Sequence, residues 1–444
     1  MAPQGSLKQR STSAGGWVVL DMALSHALRL SSNLIMTRLL LPEAFGLIAL
    51  IGTLHTALTL FSDLGIQRSV VREIDGEDSY FLRAAWTVQI IRGAVISAIV
   101  VVVGIALFWV GPLANPETVY AAPELPGLVI LSAPVMLMQG LTSTNLWVAT
   151  RHLKQARILV VNVGGQIVAM IAMIAFAQIN PSVWALLAGM LVGNLVKLLL
   201  SHVLFEGPRM QLVFDREIAD RLWVFGKWVL GSSALTFLAN NANKLFLAAL
   251  LDKETFGFFI IAMLWIQAGV TILKHLGDRI GFSAFSEVLR DRPGQIRRVF
   301  RKFIRLADGL ATVGFLICFF GGPTIIAFLY APHYQPAGTF MPILSLLILA
   351  QRFNIVAMLA LSLGNSRAMA LASGARTVAI CTLVPIGYHY FDVEGALLAT
   401  IVARLSGAPI LMYSVKDTLK HDIREEMIWL VGILTVIVCY NYFG

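Results

Sequence analysis

The sequence predicts an all-α polytopic membrane protein with about twelve transmembrane helices in two parallel six-helix repeats and an extra apolar segment at the C-terminus. Three observations predict it: a composition depleted in charge, apolar runs of membrane-spanning length along the whole chain, and basic residues confined to alternate loops. Of 444 residues, 57% are hydrophobic and only 13% charged. Soluble domains carry about 25% charged residues. Mean hydropathy is +0.77.

A hydrocarbon core of ~30 Å needs roughly 20 apolar helical residues to cross it. Such runs fall at 17–39, 44–66, 85–110, 127–149, 157–178, 183–204, 223–249, 256–276, 304–329, 340–363, 369–389 and 394–414. A shorter run, 427–443, follows them. It reads either as a thirteenth span or as an interfacial or re-entrant helix. No stretch between the runs is long enough for a separate soluble domain. The expected organisation is a tail at 1–16, a first lobe at 17–206, an amphipathic linker at 207–222, a second lobe at 223–415 and a basic, then apolar, segment at 416–444.

Cys318, Cys381 and Cys439 all lie in apolar runs, where they read as small buried hydrophobes. Neither a disulfide framework nor a metal site is expected, and no cofactor. The start, MAPQGSLKQRSTSAGG, is polar and basic, and Asp21, His26 and Arg29 follow it. That is too polar for a signal-peptide core, so no cleavage is expected.

The formal net charge is +9, and its placement decides its meaning. One set of alternate loops holds Lys8 and Arg10, then Arg68, Arg72 and Arg83, then Arg151, Lys154 and Arg157, and so on through the dense group from Arg290 to Arg305 to Lys416 and Arg424. The opposite set holds only Arg38 and Lys253. Basic residues gather on the cytoplasmic side, so the N-terminus is expected in the cytoplasm. The charge is a topology signal, and nucleic acid is not an expected partner.

A shift of 211 residues superimposes the chain on itself. LPEAFGLIAL (41–50) falls on DKETFGFFII (252–261), and WALLAGMLVG (184–193) falls on GALLATIVAR (395–404). Two anchors near opposite ends of a six-span unit share that offset. An even number of spans gives the copies the same orientation, a plan in which transporters place substrate at the repeat interface. Pro42 suits a first helical position, and Glu43 and Glu254 complement a helix N-terminus. Gly46, Gly257, Gly189 and Gly193 allow close helix approach.

The first span carries a polar face. Asp21, Ser25, Arg29 and Ser32 are spaced four, four and three, with Asn33 beside them, so they share one side of a helix. Ser232, Thr236, Asn240 and Asn243 occupy the positions shifted by 211, and Lys244 falls on Asn33. Lipid cannot satisfy such a face, which must meet water, substrate or another helix. Other basic residues lie within spans. Arg92, Lys197, Lys227, Lys274 and Arg376 are near the cytoplasmic ends and read as snorkelling. Arg29, Arg352 and Arg404 are deep, and Lys244 lies toward the outer side. A mid-membrane Arg or Lys costs roughly 2.5–3.5 kcal/mol on insertion scales. Carboxylates at that depth are few, so the expected cavity is net cationic and suits an anion, which a guanidinium binds bidentately.

The stretch TRLLLPEAFGLIALIGTLHTALTLFSDLGIQRSVVRE (37–73) resembles the opening motif of bacterial oligosaccharide flippases, polysaccharide transporters of the multidrug/oligosaccharidyl-lipid/polysaccharide exporter superfamily. DREIADRLWVFGKWVLGSS (215–233) is similar to the family's entry to its second lobe, FSAFSEVLRDRPGQIRRVFRKFIRL (282–306) to its basic link between spans eight and nine, and IIAFLYAPHYQPAGTFMPILSLL (325–347) to the segment before span ten. The chain departs at Ala331, Pro332 and Tyr334, where many members carry Gly and Trp. The resemblance implies two six-helix lobes forming a V around a central cavity, in a bacterial inner membrane. It implies alternating access that moves a polyprenyl-pyrophosphate-linked oligosaccharide to the outer leaflet, with membrane lipid, a polysaccharide polymerase and export machinery as partners.

Within that frame Arg29, Lys244 and Arg352 are expected at the anionic headgroup. Ser25, Asn33, Asn240, Asn243 and Arg404 complete the substrate-binding set, and Asp21 positions Arg29 or takes part in proton coupling. A multidrug exporter of the same superfamily is the main alternative, although exporters of cations need cavity carboxylates. A lipid II flippase is nearer in chemistry but usually has two more helices. A polysaccharide polymerase, an enzyme, often uses a large external loop, which this chain lacks; no enzymatic activity is expected.

Overall fold

The computed structural model describes residues 7–419, 428–429 and 431–433. The expected apolar run at 427–443 lies largely outside the described residues. The chain divides into two compact units, Met1–Ala234 and Leu235–Gly444. Every regular element among the described residues is helical.

The first unit begins with α1 (Leu7–Met36), so part of the expected tail is already helix. Pro42 opens α2 (Pro42–Phe61), after an extended Leu41 and with Glu43 in the first turn. Its fixed φ favours that position, where no N–H is needed. A short α3 (Ile66–Arg72) leads to α4 (Ser79–Val110). The Asp78 carboxylate accepts from the Tyr80 and Phe81 amides and so caps two orphan N–H groups of α4. Then come α5 (Leu125–Leu141), α6 (Asn145–Arg151), α7 (Gln155–Ile179) and α8 (Val183–Val203). Within the expected linker at 207–222, residues 207–215 are irregular and α9 (Arg216–Leu250) begins, running on without interruption. Its opening turns belong to the first unit and its remainder to the second.

The second unit repeats the order. Asp252 caps α10 (Lys253–His275) by accepting from the Thr255 amide. A π-helical turn, Leu276–Gly281, joins it to α11 (Phe282–Asp291). Then follow α12 (Ile296–Leu329), α13 (Gln335–Leu349), α14 (Arg352–Ser362), α15 (Ser366–Leu405) and α16 (Ala408–Leu419). The backbone of α15 leaves helical geometry at Phe391 and Asp392. A methyl on Gly387 would stand 2.4 Å from the Gly395 carbonyl oxygen. Eight residues of straight helix would separate those positions by about 12 Å, so α15 is a hairpin of two arms whose crossing admits only glycine.

By length and apolarity alone, eight helices among the described residues can cross a membrane, or nine if the bent pair α5–α6 counts as one span. The two long helices that fail are α1 and α9, the bearers of the polar faces. With these, and with the second arm of α15, the described residues supply the twelve expected spans.

The fourth span of the first unit is broken. In the first unit α5 and α6 meet at 57° across Thr142–Thr144. A broken helix leaves carbonyls without intrahelical donors, and side chains from elsewhere supply them. Gln89 Nε2 reaches the Gly140 and Thr142 carbonyls at 2.9 Å each. Trp86 Nε1 donates to Leu141 O at 3.0 Å, and His202 Nε2 lies 2.9 Å from the same oxygen. The Ser143 amide donates to Ser201 Oγ at 3.1 Å. A close crossing brings Gln89 there, since a methyl on Gly93 would stand 2.8 Å from Gly140 Cα. Beside the break lies a cavity of ≈ 340 Å³ lined by Asp63, Gln89, Arg92 and Trp147 among others. In the second unit α13 gives way to α14 at Ala350 and Gln351.

Candidate functional site: polar clusters on α1 and α9

In the first unit the polar face of α1 meets α7. Asn162 Nδ2 donates to Asp21 Oδ2 at 3.1 Å, and Gln166 Nε2 donates to Ser25 Oγ at 2.8 Å. The other Asp21 oxygen, Oδ1, is buried and has no hydrogen-bond partner among the described residues. Arg29, one turn further on, is exposed. Lys197 on α8 lies close enough to feel both the Arg29 charge and the Asp21 carboxylate. Its aliphatic stem crosses Gly165 of α7, where a methyl would stand 2.5 Å from Lys197 Cγ. The site is therefore two cations and one carboxylate, framed by amides and a hydroxyl.

The second unit builds a related cluster from other residues. Arg404 Nη1 donates to Asn240 Oδ1 at 3.1 Å, while the Asn240 amide donates to Thr236 O at 2.7 Å. Arg376, on the first arm of α15, lies within electrostatic reach of Arg404. Its Nε is buried without a hydrogen-bond partner among the described residues. A methyl on Gly407 would stand 2.9 Å from that Nε. Shifting Gly165 by 211 gives Arg376, and shifting Lys197 by 210 gives Gly407. Each unit thus passes one basic side chain over a glycine, from opposite helices of the pair.

The expected residues fare differently. Asp21, Ser25 and Arg29 come together, as do Asn240 and Arg404. Lys244 and Asn33 are half-buried, and Asn243 is buried within α9. Arg352, expected at a headgroup, lies elsewhere than the two clusters. Its side chain is buried in an ion pair with Asp308 of α12, and its guanidinium carbon lies 5.2 Å from the Trp429 ring centroid. The ion pair ties α14 to α12.

Sequence reasoning missed Asn162 and Gln166, and it read Lys197 and Arg376 as snorkelling. The signal was present for the amides. They stand four apart in the apolar middle of α7, the same spacing as Asp21 and Ser25.

The fold is that of an all-α, multi-pass membrane protein. Residues 35–338 match the model of the Polysaccharide biosynthesis protein family, and the chain belongs to that family. Among solved structures, similarity extends to the inward-facing conformation of a multidrug resistance MATE family transporter of the MOP superfamily, with TM-score 0.65, 14% identity, and coverage of 90% of this chain and 98% of that one. The lipid II flippase MurJ in its inward closed conformation gives TM-score 0.61 at 13% identity over 96% and 98%. The eukaryotic MATE transporter AtDTX14 gives 0.61 at 11% over 94% and 98%. At such identities the likeness is one of fold. No curated protein sequence matches the chain.

Proposed function

We propose that the protein moves a polyprenyl-pyrophosphate-linked oligosaccharide from the cytoplasmic to the outer leaflet of a bacterial inner membrane by alternating access, with its N-terminus in the cytoplasm. One observation carries the reading. In each unit two basic side chains stand close enough to repel, Arg29 with Lys197 and Arg376 with Arg404, and an amide-bearing face lies beside each pair. Like charges held in a low-dielectric setting are relieved by an anion. A pyrophosphate supplies that anion, the amides and Ser25 suit sugar hydroxyls, and Lys244 adds a further cation on α9. The family match supports a role in polysaccharide synthesis, and the alternating basic loops support the orientation.

The test is deletion of the gene followed by analysis of lipid-linked intermediates. The expected result is oligosaccharide-lipid trapped on the cytoplasmic leaflet, reproduced by the Arg29→Ala, Lys197→Ala double variant inserted at normal levels. Normal surface polysaccharide in that variant would sink the assignment of the first cluster.

A second reading, export of small cationic compounds, draws on Asp21, whose unpartnered Oδ1 offers a carboxylate to a cation or a proton. Drug sensitivity with intact surface polysaccharide in the deletion strain would favour it.

A further inference from the structure

We infer that the N-terminal end of α12 is a binding site for the phosphate of a membrane lipid headgroup. Arg297, Arg298, Arg301, Lys302 and Arg305, with Gly294, line a pocket of ≈ 560 Å³. Helical geometry sorts the residues of α12 onto three faces. Ile296, Phe300, Ile304, Ala307 and Ala311 form a buried stripe. Leu306, Leu310, Val313, Ile317 and Phe320 form an exposed apolar stripe on another side, which is the surface a helix turns to acyl chains. Between them runs a charged stripe, Arg297, Arg301 and Arg305, which ends on Asp308, the partner of Arg352.

The depth of the pocket is set by these faces. The exposed apolar stripe starts at Leu306, one residue beyond Arg305, so the basic pocket stands at the level where hydrocarbon gives way to headgroups. Five basic side chains line one pocket, and phosphate oxygens accept from guanidinium forks in the bidentate geometry Arg prefers. The α12 N-terminus adds the positive end of its dipole. A lipid whose phosphate occupies the pocket lays its chains along the adjacent apolar stripe without bending back. The positive-inside rule explains basic residues on this side of the membrane. It does not explain their convergence on one pocket beside a lipid-facing stripe. The site is independent of which solute the two units carry.

The test titrates purified full-length protein in detergent with short-chain phosphatidylglycerol, short-chain phosphatidylcholine, a short polyprenyl pyrophosphate and inorganic pyrophosphate, read by native mass spectrometry. The exposed pair Arg298→Gln, Lys302→Gln is the fold-safe variant, and the half-buried pair Arg297→Gln, Arg301→Gln the stronger one. A basic residue at a lipid surface contributes roughly fivefold, so two together give about 25-fold weaker binding of the anionic lipids. Preference for phosphatidylglycerol marks a structural lipid, and preference for polyprenyl pyrophosphate a loading site; either result supports the inference. Equal lipid binding by wild type and both variants overturns it, as does inorganic pyrophosphate binding as tightly as the lipids.

Discussion

Asn162 donates to Asp21 at 3.1 Å, and the same offset of 141 positions relates Gln166 to Ser25, its partner at 2.8 Å. Equal offsets at two successive turns mean that α1 and α7 run parallel and in register, with polar rungs between them. Helices in lipid gain no hydrophobic attraction for one another, so such rungs and close packing hold them together. The register also fixes where Arg29 stands, one turn beyond the second rung.

Replacing Asn162 by Leu removes the donor that Asp21 Oδ2 has among the described residues, next to an Oδ1 that has none among them. An unsatisfied buried acceptor costs about 1–3 kcal/mol. The Asn162→Leu protein is expected to melt at a lower temperature in detergent, and adding Asp21→Asn is expected to recover part of the loss by removing the charge. Additive effects of the two substitutions in a double-mutant cycle would show that the rung does not couple them.

The broken fourth span yields a second prediction. Gln89 reaches the Gly140 and Thr142 carbonyls and accepts from Trp147 Nε1 at 3.4 Å. Gln89→Leu strips donors from carbonyls that no helix satisfies, with an expected loss of about 1–3 kcal/mol. Gln89→Glu, an acceptor facing acceptors, is expected to be worse than Leu. Thermal melts of the two variants check the order.

How much of this was legible in the sequence depended on range. Hydropathy placed the spans, and the period of Asp21, Ser25 and Arg29 placed the polar face, because both are local properties of one helix. The run at 127–149 read as a single span, since nothing in Thr142, Ser143 and Thr144 announces a break. The break exists because Trp86, Gln89 and His202, far away in the chain, serve its carbonyls, and Ser201 accepts from its Ser143 amide. Arg352 read as a cavity residue for the same reason. Depth was visible, but its partner Asp308, 44 residues away, was not. The shift of 211 paired Arg29 with Asn240, yet could not show that Lys197 and Arg376 reach similar crossings from opposite helices.

Arg352 and Asp308 provide the third prediction. Removing one member of a buried ion pair strands the other's charge and typically costs 3–5 kcal/mol, whereas replacing both by apolar residues of similar volume is often neutral. Arg352→Ala and Asp308→Ala are each expected to destabilise the purified protein severely. The Arg352→Met, Asp308→Leu double variant is expected to recover most of the loss in a melt. If it also supports transport, the pair is structural; if it folds but fails to transport, the charges act in the cycle itself.

The last prediction concerns the start of α9. Arg221 donates to Asp75 at 3.1 and 3.3 Å and lies 3.5 Å from Glu73. Tyr80 donates to Asp215 at 2.9 Å. The Arg221 hydrogen bond holds the Asp75 carboxyl below its ordinary 3.8. The Ile218 amide, followed by the Tyr80 hydroxyl, does the same for Asp215. A carboxyl depressed in the folded state stabilises at every pH above its unfolded value and loses that contribution as pH falls through the folded one. These contacts therefore persist from neutrality down to about pH 4 and fail only in more acidic solution. Because the groups are exposed, solvent screens them and the effect is small. Hydrogen exchange over residues 73–80 and 215–222 is expected to be flat from pH 7 to 4, after correction for intrinsic rates, and to lose protection below. Arg221→Gln should show that lower protection already at pH 7, and full protection in this variant would remove the clamp from the account.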